Sequence, residues 1–188
     1  MKKMFFAAAL CMAVSAGLNA QPGGGMMFGG MQQIDVKYND YVAAPEGFDK
    51  ETPGIERGKV EVLEYKSTTV GTNRLVTVYL PPKYDANKKY PVLYLLHGIG
   101  GDHQEWMQGV PNIIMDNLYA QNKAVPMIIV MPNGRALPND KPEGNVYSPE
   151  MQQGFVNFEK DLLVDLIPFI EGKFSTYTDK NQDRKSVV

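Results

Sequence analysis

The chain has 188 residues, with 19 Lys and Arg against 21 Asp and Glu, two His and one Cys. That length fills one domain with a sizeable core, and the near-balanced charge offers no basic surface to a nucleic acid. One cysteine excludes an internal disulfide and a cysteine-based metal site, so the fold has to rest on core packing.

The opening stretch MKKMFFAAALCMAVSAGLNA (1–20) reads as a signal peptide. Lys2 and Lys3 precede an apolar run from Met4 to about Gly17, and Leu18-Asn19-Ala20 before Gln21 has the spacing of a cleavage site. The run is short for a bilayer span, so no stable membrane insertion is expected after cleavage. The product is expected to be exported, periplasmic or secreted. Cleavage would remove Lys2, Lys3 and Cys11, leaving 17 basic residues against 21 acidic ones and no thiol.

Residues 21–56 begin with QPGGGMMFGGMQQ and continue with Pro45, Gly47, Pro53 and Gly54 as punctuation, a flexible linker followed by irregular chain. Order is expected from near Arg57. KVEVLEYKS alternates Val60 and Val62 against Glu61, Leu63 and Tyr65, and NRLVTVYL alternates Leu75, Thr77 and Tyr79 against Val76, Val78 and Leu80. Thr72-Asn73 marks the turn between them, which predicts an antiparallel pair ended by Pro81 and Pro82.

The pattern then changes. YPVLYLLHG and VPMIIVMPNG are continuous apolar runs, as expected of parallel strands buried on both faces. Between them Val110, Ile113, Ile114 and Leu118 recur at helical spacing, giving a strand–helix–strand crossover. GFVNFEKDLLVDLIPFIEGKF places Phe155, Phe158, Leu162, Leu166 and Phe169 on one helical stripe, widened by Leu163, Ile167 and Ile170. Pro168 should kink or end that helix. The fold class is α/β, a three-layer sandwich in which an antiparallel strand pair leads into a parallel sheet with flanking helices.

The first parallel strand runs into His97-Gly98-Ile99-Gly100-Gly101. A phosphate cradle would need GxGxxG or GxxxxGK[ST], and the sequence has neither here. A metal site would draw on Asp102, His103 and Glu105, but His97 is the only other histidine, and no metal or other cofactor is expected. The third chemistry is an oxyanion-hole segment. Acyl transfer builds negative charge on a carbonyl oxygen, and glycines let a main-chain N–H approach it without a Cβ clash. A tight turn with no ligand remains the plain alternative.

RLVTVYLPPKYDANKKYPVLYLLHGIGGDHQEW, then IIVMPNG, then the F-x-x-F-x-K-D-L-x-x-x-L-I-P pattern of the last helix together resemble the esterase D / feruloyl esterase branch of the α/β hydrolases. The resemblance runs from about Lys59 to Arg184 and is strongest to esterase domains of xylan-degrading enzymes. It identifies 57–188 as the N-terminal part of an α/β-hydrolase esterase domain. It implies an exported serine esterase whose partner is a small-molecule or polysaccharide ester, of feruloyl or acetyl type. It also implies that the Ile99 main-chain N–H is one oxyanion donor, with His97, Gly98, Gly100 and Gly101 supporting the loop. The base of this fold follows the nucleophile in chain order, so His97 is not expected to be that base. Trp106 either lines an acyl pocket or anchors the following helix, and Asn133, at a central strand's C-terminal end, is placed on the substrate side.

The nucleophile motif Gly-x-Ser-x-Gly is absent from the sequence. Ser67, Ser148, Ser175 and Ser186 lack its context, and Ser186-Val187-Val188 reads as the opening of the nucleophile strand or as an unrelated tail. The expectation is an ester hydrolase represented here without its nucleophile, acid and base. The alternative is a non-catalytic truncated product or a carbohydrate-binding remnant.

Overall fold

The computed structural model describes residues 44–179. The signal peptide assigned to 1–20, the Gly/Met-rich part of the linker and the Ser186–Val188 stretch lie outside the described residues.

β1 (Lys59–Lys66) and β2 (Asn73–Leu80) pair antiparallel, with Lys59 opposite Leu80 and Lys66 opposite Asn73. Asn73 is therefore already in the ladder. The turn is longer than the Thr72-Asn73 reading, running through residues 67–72 with Gly71 at φ 78°. β3 (Val92–Tyr94) lies parallel to β4 (Ile128–Pro132), and β4 lies antiparallel to β2, giving the order β1-β2-β4-β3. All five residues of β4 are buried, which is why its sequence shows no alternation.

The two faces of the sheet carry separate cores. Tyr65, Val76, Val78, Val92, Ile128 and Val130 face Leu166, Ile170 and Phe174. On the other side Tyr79, Leu95, Ile129 and Met131 face Trp106, Met107, Met115 and Tyr119. This is the expected three-layer α/β arrangement. Burial of each aliphatic side chain contributes about 1.5–3 kcal/mol, enough to hold a β3 whose ladder is very short.

α1 (Pro111–Ala120) forms where the crossover helix is expected, but it is turned about its axis. Ile113, Ile114 and Leu118 are only half-buried, while Asp116 and Asn117 are buried. Polar anchors set this rotation. Asp116 Oδ1 accepts the Gly58 N–H at 2.9 Å and the Tyr79 hydroxyl at 2.6 Å, and Asn117 Nδ2 donates to the Phe48 and Lys50 carbonyls at 2.8 and 2.9 Å.

The C-terminal helix begins as α2 (Pro149–Asp161), with Ser148 as N-cap accepting the Met151 N–H and Pro149 in the first turn. It passes through one wide π turn (Leu162–Leu166) and continues as α3 (Ile167–Lys173). Ile167 N–H reaches back to the Leu162 carbonyl, a five-residue step. That step lies immediately before Pro168, whose missing N–H the widened turn accommodates. The added residue per turn also rotates the apolar stripe: Leu163, expected to widen it, is 58% exposed.

Candidate functional site

The ladder extends past β3 by Leu95 N–H to the Val130 carbonyl, 2.9 Å, and the chain then leaves the sheet through residues 97–101. His97 is buried and joins two strand-end loops. Gly134 N–H donates to His97 Nε2 at 2.7 Å, and His97 Nδ1 lies 2.5 Å from the Gly98 carbonyl. A ring nitrogen that accepts an amide proton carries none, so this network assigns the proton to Nδ1, which donates it to Gly98. Asn133 Oδ1, 3.1 Å from Nε2, accepts the Arg135 N–H at 3.0 Å. Both ring nitrogens are thus engaged by main chain, and neither is available to an incoming hydroxyl.

The Gly98 carbonyl also accepts Gly101 N–H at 3.0 Å, while Gly98 N–H donates to Glu105 Oε1 at 3.0 Å. None of the peptide bonds among the described residues is cis, and a trans peptide points its C=O and N–H in opposite directions. With the Gly98 carbonyl turned toward His97 and Gly101, the Ile99 N–H points away from them. Among the described residues that N–H has no hydrogen-bond partner.

Gly98, Gly100 and Gly101 are absent from the residues with left-handed backbone. Close approach decides Gly101 instead: a Cβ there would overlap the Glu105 carboxylate and stand 3.1 Å from His97 Cβ.

The structure places the two remaining site candidates as follows. Asn133 is buried, its Nδ2 donates to the Asp140 carbonyl at 2.8 Å, and its Oδ1 is occupied as described. Its polar atoms have protein partners, which fix the loop after β4. Trp106 takes the anchoring place of its two readings. Its indole N–H donates to the Leu96 carbonyl at 2.8 Å, and its ring packs against the core formed by Tyr79, Leu95, Ile129 and Met131.

The candidate metal ligands do not converge. Asp102 Oδ1 accepts Gln104 N–H at 2.7 Å, Glu105 holds Gly98, and His103 Nδ1 lies 2.8 Å from Thr77 Oγ1. Burial holds the His103 imidazole below its ordinary value, against the opposing charges of Asp102 and Asp140. Gly100, Gly101, Asp102 and Glu105 line a groove of about 730 Å³ together with Val60 and Val62.

Two buried arginines were not found from the sequence. Arg74 of β2 forms a buried ion pair with Asp161, which also accepts the Tyr65 hydroxyl at 2.6 Å. Its other terminal nitrogen holds the Asn133 and Arg135 carbonyls at 2.6 and 3.0 Å, fixing the turn after β4. Arg135 donates through Nη2 to the Ile99 carbonyl at 2.8 Å and through Nη1 to the Asp140 carbonyl at 3.0 Å. Gly101 O lies 3.4 Å from each terminal nitrogen. Only an arginine directly after a buried strand hints at this role, because every partner is distant in sequence or on the main chain.

The chain matches a known family. The family model Esterase, described as "Putative esterase", matches residues 67–188. The chain belongs to this esterase family. Over 180 residues, 90% of its length, it is 33% identical to an endo-1,4-beta-xylanase/feruloyl esterase of Xylanibacter ruminicola. Over 74% of its length it is 29% identical to endo-1,4-beta-xylanase Y of Acetivibrio thermocellus. Among solved structures, a CE1 ferulic acid esterase from Anaeromyces mucronatus, determined with ferulic acid, superposes with a TM-score of 0.68 at 29% identity over 77% of this chain. The architecture is accordingly that of the α/β-hydrolase esterases. The chain spans 23% of the Xylanibacter relative and 53% of the Anaeromyces esterase.

Proposed function

We propose that this member of the esterase family is the oxyanion-side portion of an exported carboxylic ester hydrolase acting on feruloyl- or acetyl-type esters of carbohydrates. The observation that carries the reading is the outward Ile99 N–H at the C-terminal end of β3. Its peptide is held by His97 and Gly101, in a chain whose relatives carry feruloyl esterase in their names.

On this reading a serine from outside these 188 residues attacks the ester carbonyl. The Ile99 amide donates to the oxyanion as it forms, the sugar hydroxyl leaves with a proton, and water then releases the acid from the acyl-enzyme. His97 and Gly101 fix the donor before reaction, and Gly98 and Gly100 supply the room. The Ile99 side chain matters less on this reading than its amide.

The test begins with the coding DNA beyond Val188, which should encode a Gly-x-Ser-x-Gly run shortly downstream in some frame. A product carrying that run should hydrolyse methyl ferulate or p-nitrophenyl acetate and be blocked by a fluorophosphonate. Ile99→Pro, which removes the N–H, should then lower kcat by about 10²–10³. The 188-residue chain itself should show no fluorophosphonate-sensitive turnover. Turnover by that chain, or the absence of the motif from every frame, would sink the proposal.

A further inference from the structure

The Arg135 guanidinium is fully buried, yet no carboxylate lies within ion-pair distance of it among the described residues. A buried cation without a counter-charge is costly unless its donors are well placed. Its two terminal nitrogens donate to carbonyl oxygens, two of them in the glycine loop, while Nε has no hydrogen-bond partner among the described residues, and the guanidinium carbon lies 5.7 Å from the Phe155 ring centre. The planar fork spans the Ile99 and Gly101 carbonyls together, which a lysine ammonium on a flexible stem does not reproduce.

The consequence falls on the next amide. Gly100 N–H shares a trans peptide with the Ile99 carbonyl, so holding that carbonyl on Arg135 points Gly100 N–H the opposite way. Among the described residues this N–H has no hydrogen-bond partner, and the space a Cβ would occupy at Gly100 is empty to 4 Å. Gly98 N–H is already taken by the Glu105 carboxylate.

We propose that Arg135 is a positioning residue that turns the Gly100 amide outward beside that of Ile99, so that this loop alone offers two donors to an oxyanion. The proposal deepens the esterase reading and rests on it for the identity of that oxyanion. His97 sets the first donor, Arg135 sets the second, and Glu105 withdraws the third amide of the loop.

The test uses the 188-residue chain, ¹⁵N-labelled, titrated with methylphosphonate at constant ionic strength. The Ile99 and Gly100 amide resonances should move together and saturate, while that of Gly98 should not. In Arg135→Lys the Gly100 response should disappear and the apparent affinity should fall at least tenfold, with Ile99 keeping part of its response through His97. Arg135→Met should behave likewise, and unchanged Val76, Val78 and Val130 amides report that the sheet is intact. If the methionine variant fails to fold, the lysine variant decides. A wild-type Gly100 response in a folded variant overturns the role of Arg135, and a wild-type chain in which neither amide moves overturns the two-donor site. Phosphonate binding at both amides with no ester hydrolysis by the longer product would remove the esterase reading alone. Hydrolysis with an Arg135-independent loop would remove this inference alone.

Discussion

Asp165 offers a quantitative test of how the helical layer is locked to the sheet. It sits in the π turn, and its carboxylate accepts four hydrogen bonds from the β1–β2 turn. Thr68 N–H and hydroxyl donate to Oδ1 at 3.0 and 2.6 Å, and Thr69 N–H and hydroxyl donate to Oδ2 at 3.0 and 2.6 Å. Burial pushes this carboxyl up, but the bonds from Thr68 and Thr69 outweigh it and hold the group down at about 2 against an ordinary 3.8. At 1.36 kcal/mol per unit, ionisation in the folded state contributes about 2 kcal/mol. Folding lowers this pKa, so the stabilisation is complete above the unfolded value near 4 and is lost as pH falls through about 2. Asp165→Asn should therefore lower the thermal midpoint by about 4–8 °C at pH 7. The gap between variant and wild type should narrow to about half at pH 3. Circular dichroism melts at pH 7, 5 and 3 measure both. An unchanged midpoint at pH 7, or a gap that stays constant down to pH 3, would refute the claim that four charge-assisted bonds hold this contact.

Asp161→Leu should cost about 3–5 kcal/mol, because it takes the buried carboxylate from Arg74, whose side chain is 1% exposed, and leaves it only the more distant Asp140 at 3.6 Å. Adding Arg74→Met should recover most of that loss, and urea unfolding of both singles and the double would show it; singles costing under about 1 kcal/mol would contradict a buried pair. Gly101→Ala pushes aside the flexible end of Glu105, so its stability cost should stay near or below about 1 kcal/mol while the Gly98 amide resonance shifts as its acceptor leaves. An unmoved Gly98 resonance would show that Glu105 does not hold it. Trp106→Phe removes the donor to the Leu96 carbonyl and should cost about 1–3 kcal/mol in urea unfolding. A fully stable variant would mean that the indole is not an anchor.

Much of the fold was legible from periodicity. Alternation in residues 59–66 and 73–80, and continuous apolar runs around 92–94 and 128–132, are direct consequences of how many faces a strand buries. Periodicity misjudged the helices where polar anchors or a backbone irregularity competed with it. Asp116 and Asn117 turned α1 away from its Ile113–Leu118 stripe, and the π turn before Pro168 carried Leu163 out to solvent.

For the site, local chemistry placed the glycine loop, because a strand ending in His-Gly-x-Gly-Gly is a pattern along the chain, while the assignment of Ile99 came from the family resemblance. The direction in which each amide points is not such a pattern. It depends on where the opposite carbonyl finds its donor, and those donors are His97 Nδ1, Gly101 N–H and the Arg135 guanidinium. The same holds for Asn133, whose side chain looks available in sequence and is hydrogen-bonded to Arg135 N–H and the Asp140 carbonyl in the fold. Sequence by itself determined the layers, the strand faces and the position of the loop, since these follow from side-chain periodicity and residue type. Tertiary structure alone decided which amides are free and which polar groups are committed, because hydrogen bonds between residues 36 or 37 positions apart leave no periodic trace along the chain.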